Sequence, residues 1–350
     1  MGRAVVFLVA AAAALAVGSP LAAELLEDFD GPRLDHGVWN TCQADERLLA
    51  FADYAEPRHR RTALGIRIDE RRGNVDICMG KAAIAAPGAA DSELGPPTVR
   101  LGERLFAGPA KDCFRGGATQ RNELRLQNRP NLIHGLREPH WYSIDFRIDG
   151  DIARCGSARW ILAQWKAPGE DSPFLAQRFD NGILHVTVEN NHCRCMVAKG
   201  SGDPDAMVAG MPGIFVPLPQ GLRETRPLGC IATNPGDDAP ETLCEPDGLV
   251  VETRGGRVPP ALPDPKRSWV RMTYLVKGDG EGNGRIDIYA NGEFVVRARG
   301  HMGRRGEAGA VKFKIGHYRD RIPGEAVLSV DRFCMSPDVG TCAPGLHEVE

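Results

Sequence analysis

Residues 311–320 read VKFKIGHYRD, an order that places two lysines and a tyrosine on one side of an extended chain. Side chains of a strand point alternately to its two faces, so Val311, Phe313 and Ile315 share a core-forming face while Lys312, Lys314, Gly316 and Tyr318 share the other. The same rule applied to RNELRL puts Arg121, Glu123 and Arg125 opposite Asn122, Leu124 and Leu126. In RWILAQWK it sets Leu162, Gln164 and Lys166 against Ile161, Ala163 and Trp165, and in ILHVTVEN it turns His185, Thr187 and Glu189 away from Leu184, Val186 and Val188. If these strands are neighbours in one sheet, Arg121, Arg125, Lys166, Lys312 and Lys314 meet Glu123 and Glu189 on a single surface. Such a surface attracts anions. With an amide and a phenol among the cations it can also stabilise a developing negative charge and move a proton. Because an antiparallel sheet covered on one side turns polar residues to water anyway, alternation alone does not identify a site.

The elements that must position these residues are strands. Helical periodicity is nearly absent after the N-terminal segment, while short alternating or apolar runs recur between Gly, Pro, Asn and Asp clusters. The clearest runs are 121–127, 141–148, 159–166, 183–189, 269–277, 285–290, 293–299, 311–318 and 326–333, and Asn291-Gly292 marks a tight hairpin between the sixth and seventh. With 350 residues and 42% hydrophobic content, an all-β sandwich of this length can still be a single domain, here 24–350. Residues 190–267 are rich in Gly, Pro and Asp and hold four cysteines, which reads as a long decorated insertion within that domain.

Arg3 precedes an apolar run from Ala4 to Val17 and then small residues through Ala23, the pattern of a secretory signal peptide over 1–23. Export to the periplasm or the medium is expected, with no membrane attachment once that segment is cleaved. In an oxidising compartment the ten cysteines read as disulfides; Cys334 and Cys342 lie close enough to close a C-terminal loop and Cys230 with Cys244 could staple the insertion, but sequence does not fix the connectivity. Cys193-Arg194-Cys195 is too little for a zinc site. GDGEGNGR imitates a calcium loop, but its twelfth position is Ala290, so a Gly-rich hairpin connection is the better account and no metal is expected. A formal net charge of −3 excludes a globally basic nucleic-acid binder.

Arg-x-Glu-Leu-Arg at 121–125, Gln-x-Lys at 164–166 and Lys-x-Gly-x-Tyr at 314–318 resemble, in the same order, the three signatures of β-jelly-roll polysaccharide lyases. These comprise alginate lyases, glucuronan lyases and the heparin lyase I group, and the FDGPRLDHGVW opening and the WVRMTYLV…GRIDIYANGEFV hairpin fit the heparin lyase I-like group best. The resemblance implies an all-β, concanavalin-like jelly roll of two antiparallel sheets. It also implies a cofactor-free, monomeric enzyme whose partner is an anionic polysaccharide. In the alginate-lyase pattern the first arginine falls on Arg121, the glutamine on Gln164, the lysine on Lys314 and the terminal tyrosine on Tyr318. The family histidine falls on Lys166, a residue of much higher reference pKa.

β-Elimination of a polyuronate removes the C5 proton beside an ionised carboxylate and expels the glycosidic oxygen at C4, so charge builds up on a group that is already anionic. The roles implied are neutralisation of the carboxylate by Arg121, Gln164 and Lys166, and protonation of the leaving oxygen by Tyr318, which in a syn elimination also serves as base. Lys314 would favour the phenolate, and Arg125, Lys312 and His185 would bind substrate, with His185 an alternative base. Lys166 either neutralises or abstracts the proton. Two other readings stay open: a binding module that has lost chemistry with the histidine, and a glycoside hydrolase, which needs two suitably spaced carboxylates.

Overall fold

The computed structural model describes residues 24–29, 33–53, 62–68, 119–150, 159–168, 172–190, 193–201, 229–232, 248–256, 259–266, 268–320, 322 and 324–346. The expected signal peptide and much of the segment 190–267, Cys244 included, lie outside these residues. In chain order the strands are β1 (Leu25–Glu27), β2 (Trp39–Gln43), β3 (Leu49–Asp53), β4 (Thr62–Ile68), β5 (Thr119–Leu126) and β6 (His140–Gly150). There follow β7 (Trp160–Lys166), β8 (Leu175–Arg178), β9 (His185–Glu189), β10 (Cys193–Lys199), β11 (Gly229–Ala232) and β12 (Val250–Glu252). The last are β13 (Val270–Lys277), β14 (Asp279–Ala290), β15 (Glu293–Met302), β16 (Lys312–Asp320) and β17 (Ala326–Ser336), with a short helix α1 at Val339–Cys342. No helix among the described residues is long and apolar enough to cross a membrane.

Two antiparallel sheets result, as expected for a jelly roll. One runs β12-β15-β14-β13-β6-β17-β4-β3, with β1 also on β17; the other runs β11-β10-β9-β8-β7-β16-β5-β2. The Asn291-Gly292 turn joins β14 to β15 with both residues at positive φ (51° and 85°), the conformation that two-residue hairpins need. Only Gly278 separates β13 from β14, and the rest of the Gly-rich run opens β14, where Asp279 and Gly284 pair with Met302 and Gly300 of β15 across a register shift. Strands β10 and β11 fall within the segment read as an insertion, yet they extend the second sheet.

The sheets close on one aromatic core. Tyr142 of the first sheet packs edge-on against Trp165 of the second at 5.4 Å, and Phe313 stacks on Phe333 at 4.8 Å. Truncating a residue such as Trp165 to Ala would cost about 3–5 kcal/mol. A polar seam runs beside this core. Asn122 Nδ2 donates to the Arg67 carbonyl at 2.6 Å, Trp160 Nε1 donates to His317 Nδ1 at 3.1 Å, and His317 Nε2 lies 2.8 Å from the Ile66 carbonyl. Burial, with Arg319 nearby, pushes His317 down to about 3, so it is a neutral structural group, as its core-side parity indicates. These bonds tie β5, β7 and β16 to β4 of the opposite sheet.

His140 heads β6 and stacks on His134 at 3.8 Å, where His134 also meets the Tyr142 hydroxyl at 2.5 Å. Cys334 pairs with Cys342 as expected. Cys230, however, pairs with Cys195 rather than Cys244, because β10 and β11 are neighbours whose register sets Cys195 opposite Cys230. Cys193 is also disulfide-bonded, which leaves neither thiolate of the Cys-x-Cys run for a metal.

Candidate active site

The second sheet places β5, β16 and β7 side by side, with β16 in the middle. Register fixes what meets what: Tyr318 is opposite Arg121 on one side and Ile161 on the other, while Lys314 is opposite Arg125 and Gln164. Lys312 faces Lys166. Arg121, Arg125, Gln164, Lys166, Lys312, Lys314 and Tyr318 therefore share one face, away from the core lined by Leu124, Trp165, Phe313 and Ile315.

The centre of the face is a buried carboxylate. Glu123 is fully buried and sits opposite Gly316; one oxygen accepts a short hydrogen bond from Gln164 Nε2, and the other lies 3.2 Å from Arg121 Nε. Since β5 and β7 flank β16, the Glu123–Gln164 bond passes over β16. Gly316 has φ +141°, and a Cβ there would stand 2.2 Å from the Asn122 carbonyl oxygen, so only glycine fits. A carboxylate only accepts, which fixes the orientation of the Gln164 amide and leaves its carbonyl oxygen and second N–H outside this bond. Arg121 and Gln164 are thus held by one acceptor.

Tyr318 meets two guanidinium groups, one from β5 and one from the residue that leads into β7. Arg121 Cζ is 4.1 Å and Arg159 Cζ 4.6 Å from the ring centroid, and Arg159 Nη2 donates to the phenolic oxygen at 3.3 Å. Arg159 is itself anchored, its backbone N–H donating to Asp320 Oδ2 at 2.7 Å and its Nη2 to Oδ1 at 3.3 Å. The ring of Tyr318 is partly exposed, and its oxygen sits beside fixed positive charge.

Lys314 is 8% exposed and donates to Gln43 Oε1 at 2.7 Å. Burial pushes its ammonium down to about 8; Glu123 opposes the shift, while Arg121, Lys166 and Arg125 add to it. Lys166 is half-buried and Lys312 exposed, a like-charge cross-strand pair that is unfavourable by itself and favoured by an anion nearby.

Strict alternation does not hold along β7. Ile161 and Leu162 exchange faces, because the register of β7 shifts between Ile161 and Ala163 against both neighbours; Leu162 joins the core and Ile161 stands beside Tyr318. The same shift carries Trp160 inward and Arg159 outward, which is why strict alternation misses Arg159. His185 lies on β9, on the expected face but fully buried, with Nδ1 3.0 Å from the Ile183 carbonyl and Nε2 3.3 Å from Asp180 Oδ2. Nδ1 is held at the Ile183 carbonyl, whereas Nε2 is directed at Asp180 without completing a hydrogen bond, so His185 is packed beneath the exposed part of this face.

Gln43 and Arg178 also belong to this face and carry no motif in the sequence. Gln43 reaches Lys314 from β2 across 271 residues of chain, and Arg178 ends β8, a strand of four residues.

Comparison with known proteins adds the following. The family described as Polysaccharide lyase matches residues 108–333. Among solved structures, the endo-beta-1,4-glucuronan lyase from the fungus Trichoderma reesei is 11% identical with a TM-score of 0.47, covering 92% of this chain and 99% of that one. The alginate lyase Aly36B is 7% identical with a TM-score of 0.41, covering 90% and 97%. The alginate lyase AlgAT5 from Polysaccharide Lyase family 7 is 10% identical with a TM-score of 0.37, covering 86% and 95%. No curated protein sequence matches the chain.

Proposed function

The chain belongs to the polysaccharide lyase family, and from that premise we propose that it cleaves a uronate-containing anionic polysaccharide by β-elimination at the face formed by β5, β16 and β7. One observation carries the reading: Arg121 and Gln164 are both engaged by Glu123, and Tyr318 stands beside Arg121 with Arg159 on its oxygen. This constellation has the parts that elimination beside a carboxylate requires. The heparin lyase I-like grouping rests on the sequence motifs.

In the proposed reaction the uronate carboxylate lies against Arg121, the free amide N–H of Gln164 and Lys166. These donors stabilise the charge that grows on the carboxylate as the C5–H bond breaks, and preorganised donors of this kind contribute most in a site they do not have to rearrange to enter. The phenolic oxygen of Tyr318, acting as phenolate, takes the C5 proton. The electron pair forms the C4–C5 double bond, the C4–O bond breaks, and the same phenol returns the proton to the departing oxygen. Arg159 holds the negative oxygen, Arg121 lies over the ring, and Lys314 adds positive charge on the same face. No redox change occurs and no external reactant is consumed.

We further propose that the protein works outside the cytoplasm. The disulfides Cys195–Cys230 and Cys334–Cys342 and the apolar N-terminal segment support this, since structural disulfides persist in oxidising compartments. The test of the function is a panel of glucuronan, alginate, heparin, heparan sulfate and pectate assayed for unsaturated sugar ends. Unsaturated ends from at least one are expected; saturated ends alone would mean hydrolysis and would overturn the reading.

A further inference from the structure

Two strands beyond Tyr318 on the same face, a buried cation has a donor left over. Arg178 ends β8 opposite Ile161, which is itself opposite Tyr318, so the row Arg121, Tyr318, Ile161, Arg178 crosses the strands at one level. At the usual spacing of neighbouring strands, the backbones of Tyr318 and Arg178 stand about 10 Å apart. The Arg178 side chain lies on the site face, since its Nε donates to Thr187 Oγ1 at 2.9 Å and Thr187 alternates with the core residues Val186 and Val188. It is 1% exposed, and Nη1 finds no hydrogen-bond partner among the described residues.

The acids nearby are already engaged by other donors. Asp180 accepts from the Trp160 backbone N–H at 2.5 Å and lies 3.3 Å from His185 Nε2. Glu189 accepts from Arg194 Nε at 3.0 Å and Ser172 Oγ at 2.8 Å. Burial, then Arg194 and Arg159, push the Arg178 guanidinium down to about 9, while Asp180 and Glu189 partly oppose the shift. With Nε taken by Thr187, the unpaired Nη1 is the nitrogen that suits an oxyanion, through a charge-assisted hydrogen bond.

We propose that Arg178 binds an oxyanion, the carboxylate or sulfate of a sugar adjoining the one that is cleaved, and so selects polymers that carry acid groups on both sides of the cut. The proposal rests on the lyase reading above. It places the polymer across the strands, with the reacting uronate over β5, β16 and β7 and its neighbour over β8. Binding energy from that neighbour then holds the reacting sugar in place against Tyr318.

The test uses the full chain with Tyr318→Phe, which keeps the ring and removes the reacting oxygen, so that bound oligosaccharide is not consumed. Saturated glucuronan and heparin oligosaccharides are titrated calorimetrically into this protein and into the same protein carrying Arg178→Gln or Arg178→Lys. Arg178→Gln is expected to weaken binding tenfold or more, with the loss shrinking at high salt, and Arg178→Lys to recover part of it. Loss with the glucuronan oligosaccharide assigns a carboxylate, and loss with heparin alone assigns a sulfate. Should neither variant fold, Thr187→Val, which removes the acceptor that aims the guanidinium, is expected to weaken binding at least threefold. Unchanged affinity in the folded variants, for every oligosaccharide the parent binds, overturns the proposal; if the wild type meanwhile releases unsaturated ends, the lyase reading stands without it. A wild type that eliminates none of these polymers overturns both.

Discussion

The guanidinium of Arg121 lies against the ring of Tyr318, 4.1 Å from its centroid, because the two residues are register partners on β5 and β16. The group assigned to the substrate carboxylate and the group assigned to the proton are therefore adjacent by backbone pairing and not by a flexible loop. Their separation is set by the sheet, and catalytic consequences follow from that rigidity.

Gln164→Ala and Arg121→Ala should each lower turnover by about a hundredfold or more, the scale for losing one donor to transition-state charge. Steady-state kinetics on the polymer that is cleaved decides it. A rise confined to KM would make either residue a binding group only.

Glu123→Gln probes the acceptor that holds both donors. Removing one partner of a buried charged pair costs about 3–5 kcal/mol, and here the loss falls on Arg121, which keeps 15% exposure, while Glu123 has none. Denaturant unfolding should show a loss approaching that size, and kcat should fall together with it because a glutamine removes the charge that Arg121 pairs with and can present an N–H where Gln164 now donates. A variant with wild-type kcat would show that the Glu123 linkage does not orient the donors.

In the resemblance to the alginate-lyase pattern the histidine falls on Lys166. If it neutralises the carboxylate, Lys166→Gln lowers turnover strongly and Lys166→His retains part of it, with the greater loss at high pH where the imidazole is uncharged. If it is the base, the wild-type rate climbs with pH through a depressed lysine value. Neutralisation is the expected result. Unchanged turnover in Lys166→Ala would assign it to the solvated rim of the sheet.

Lys314 gives a pH signature in stability. Its ammonium is held down at about 8 in the folded chain, chiefly by burial, against 10.5 for an unperturbed lysine. Between these values the unfolded chain binds a proton that the folded chain has released, so the contribution of Lys314 to stability improves as pH rises through that window and is least favourable, and constant, below about 8. The stability of the wild type relative to Lys314→Met should therefore increase between about pH 8 and about pH 10 in denaturant unfolding. A pH-independent difference would contradict the buried position of the ammonium.

Much of this site was legible because β5 and β16 obey strict alternation. Arg121, Glu123 and Arg125, like Lys312, Lys314 and Tyr318, are on the face that parity gives them, and β5 pairs with β16 without a register shift. Parity failed on β7, where the irregularity between Ile161 and Ala163 reverses the faces of the strand's first half and delivers Arg159 to Tyr318. Alternation cannot reveal a bulge, since a bulge depends on the partner strands as well as on the sequence. Arg178 was hidden for another reason: LAQR is too short to show a period, and its neighbours β7 and β9 define its face. The Cys195–Cys230 pairing likewise depends on two strands that meet only in the folded sheet.

The most direct measurement compares wild type and Tyr318→Phe on the polymer that the wild type cleaves, following unsaturated ends and polymer binding in parallel. The substitution removes one oxygen, to which Arg159 Nη2 now donates, and leaves the ring on which Arg121 lies. The account predicts that turnover falls by about three orders of magnitude or more, a size consistent with losing both base and acid, while binding changes little. Near-normal release of unsaturated ends by Tyr318→Phe would contradict it.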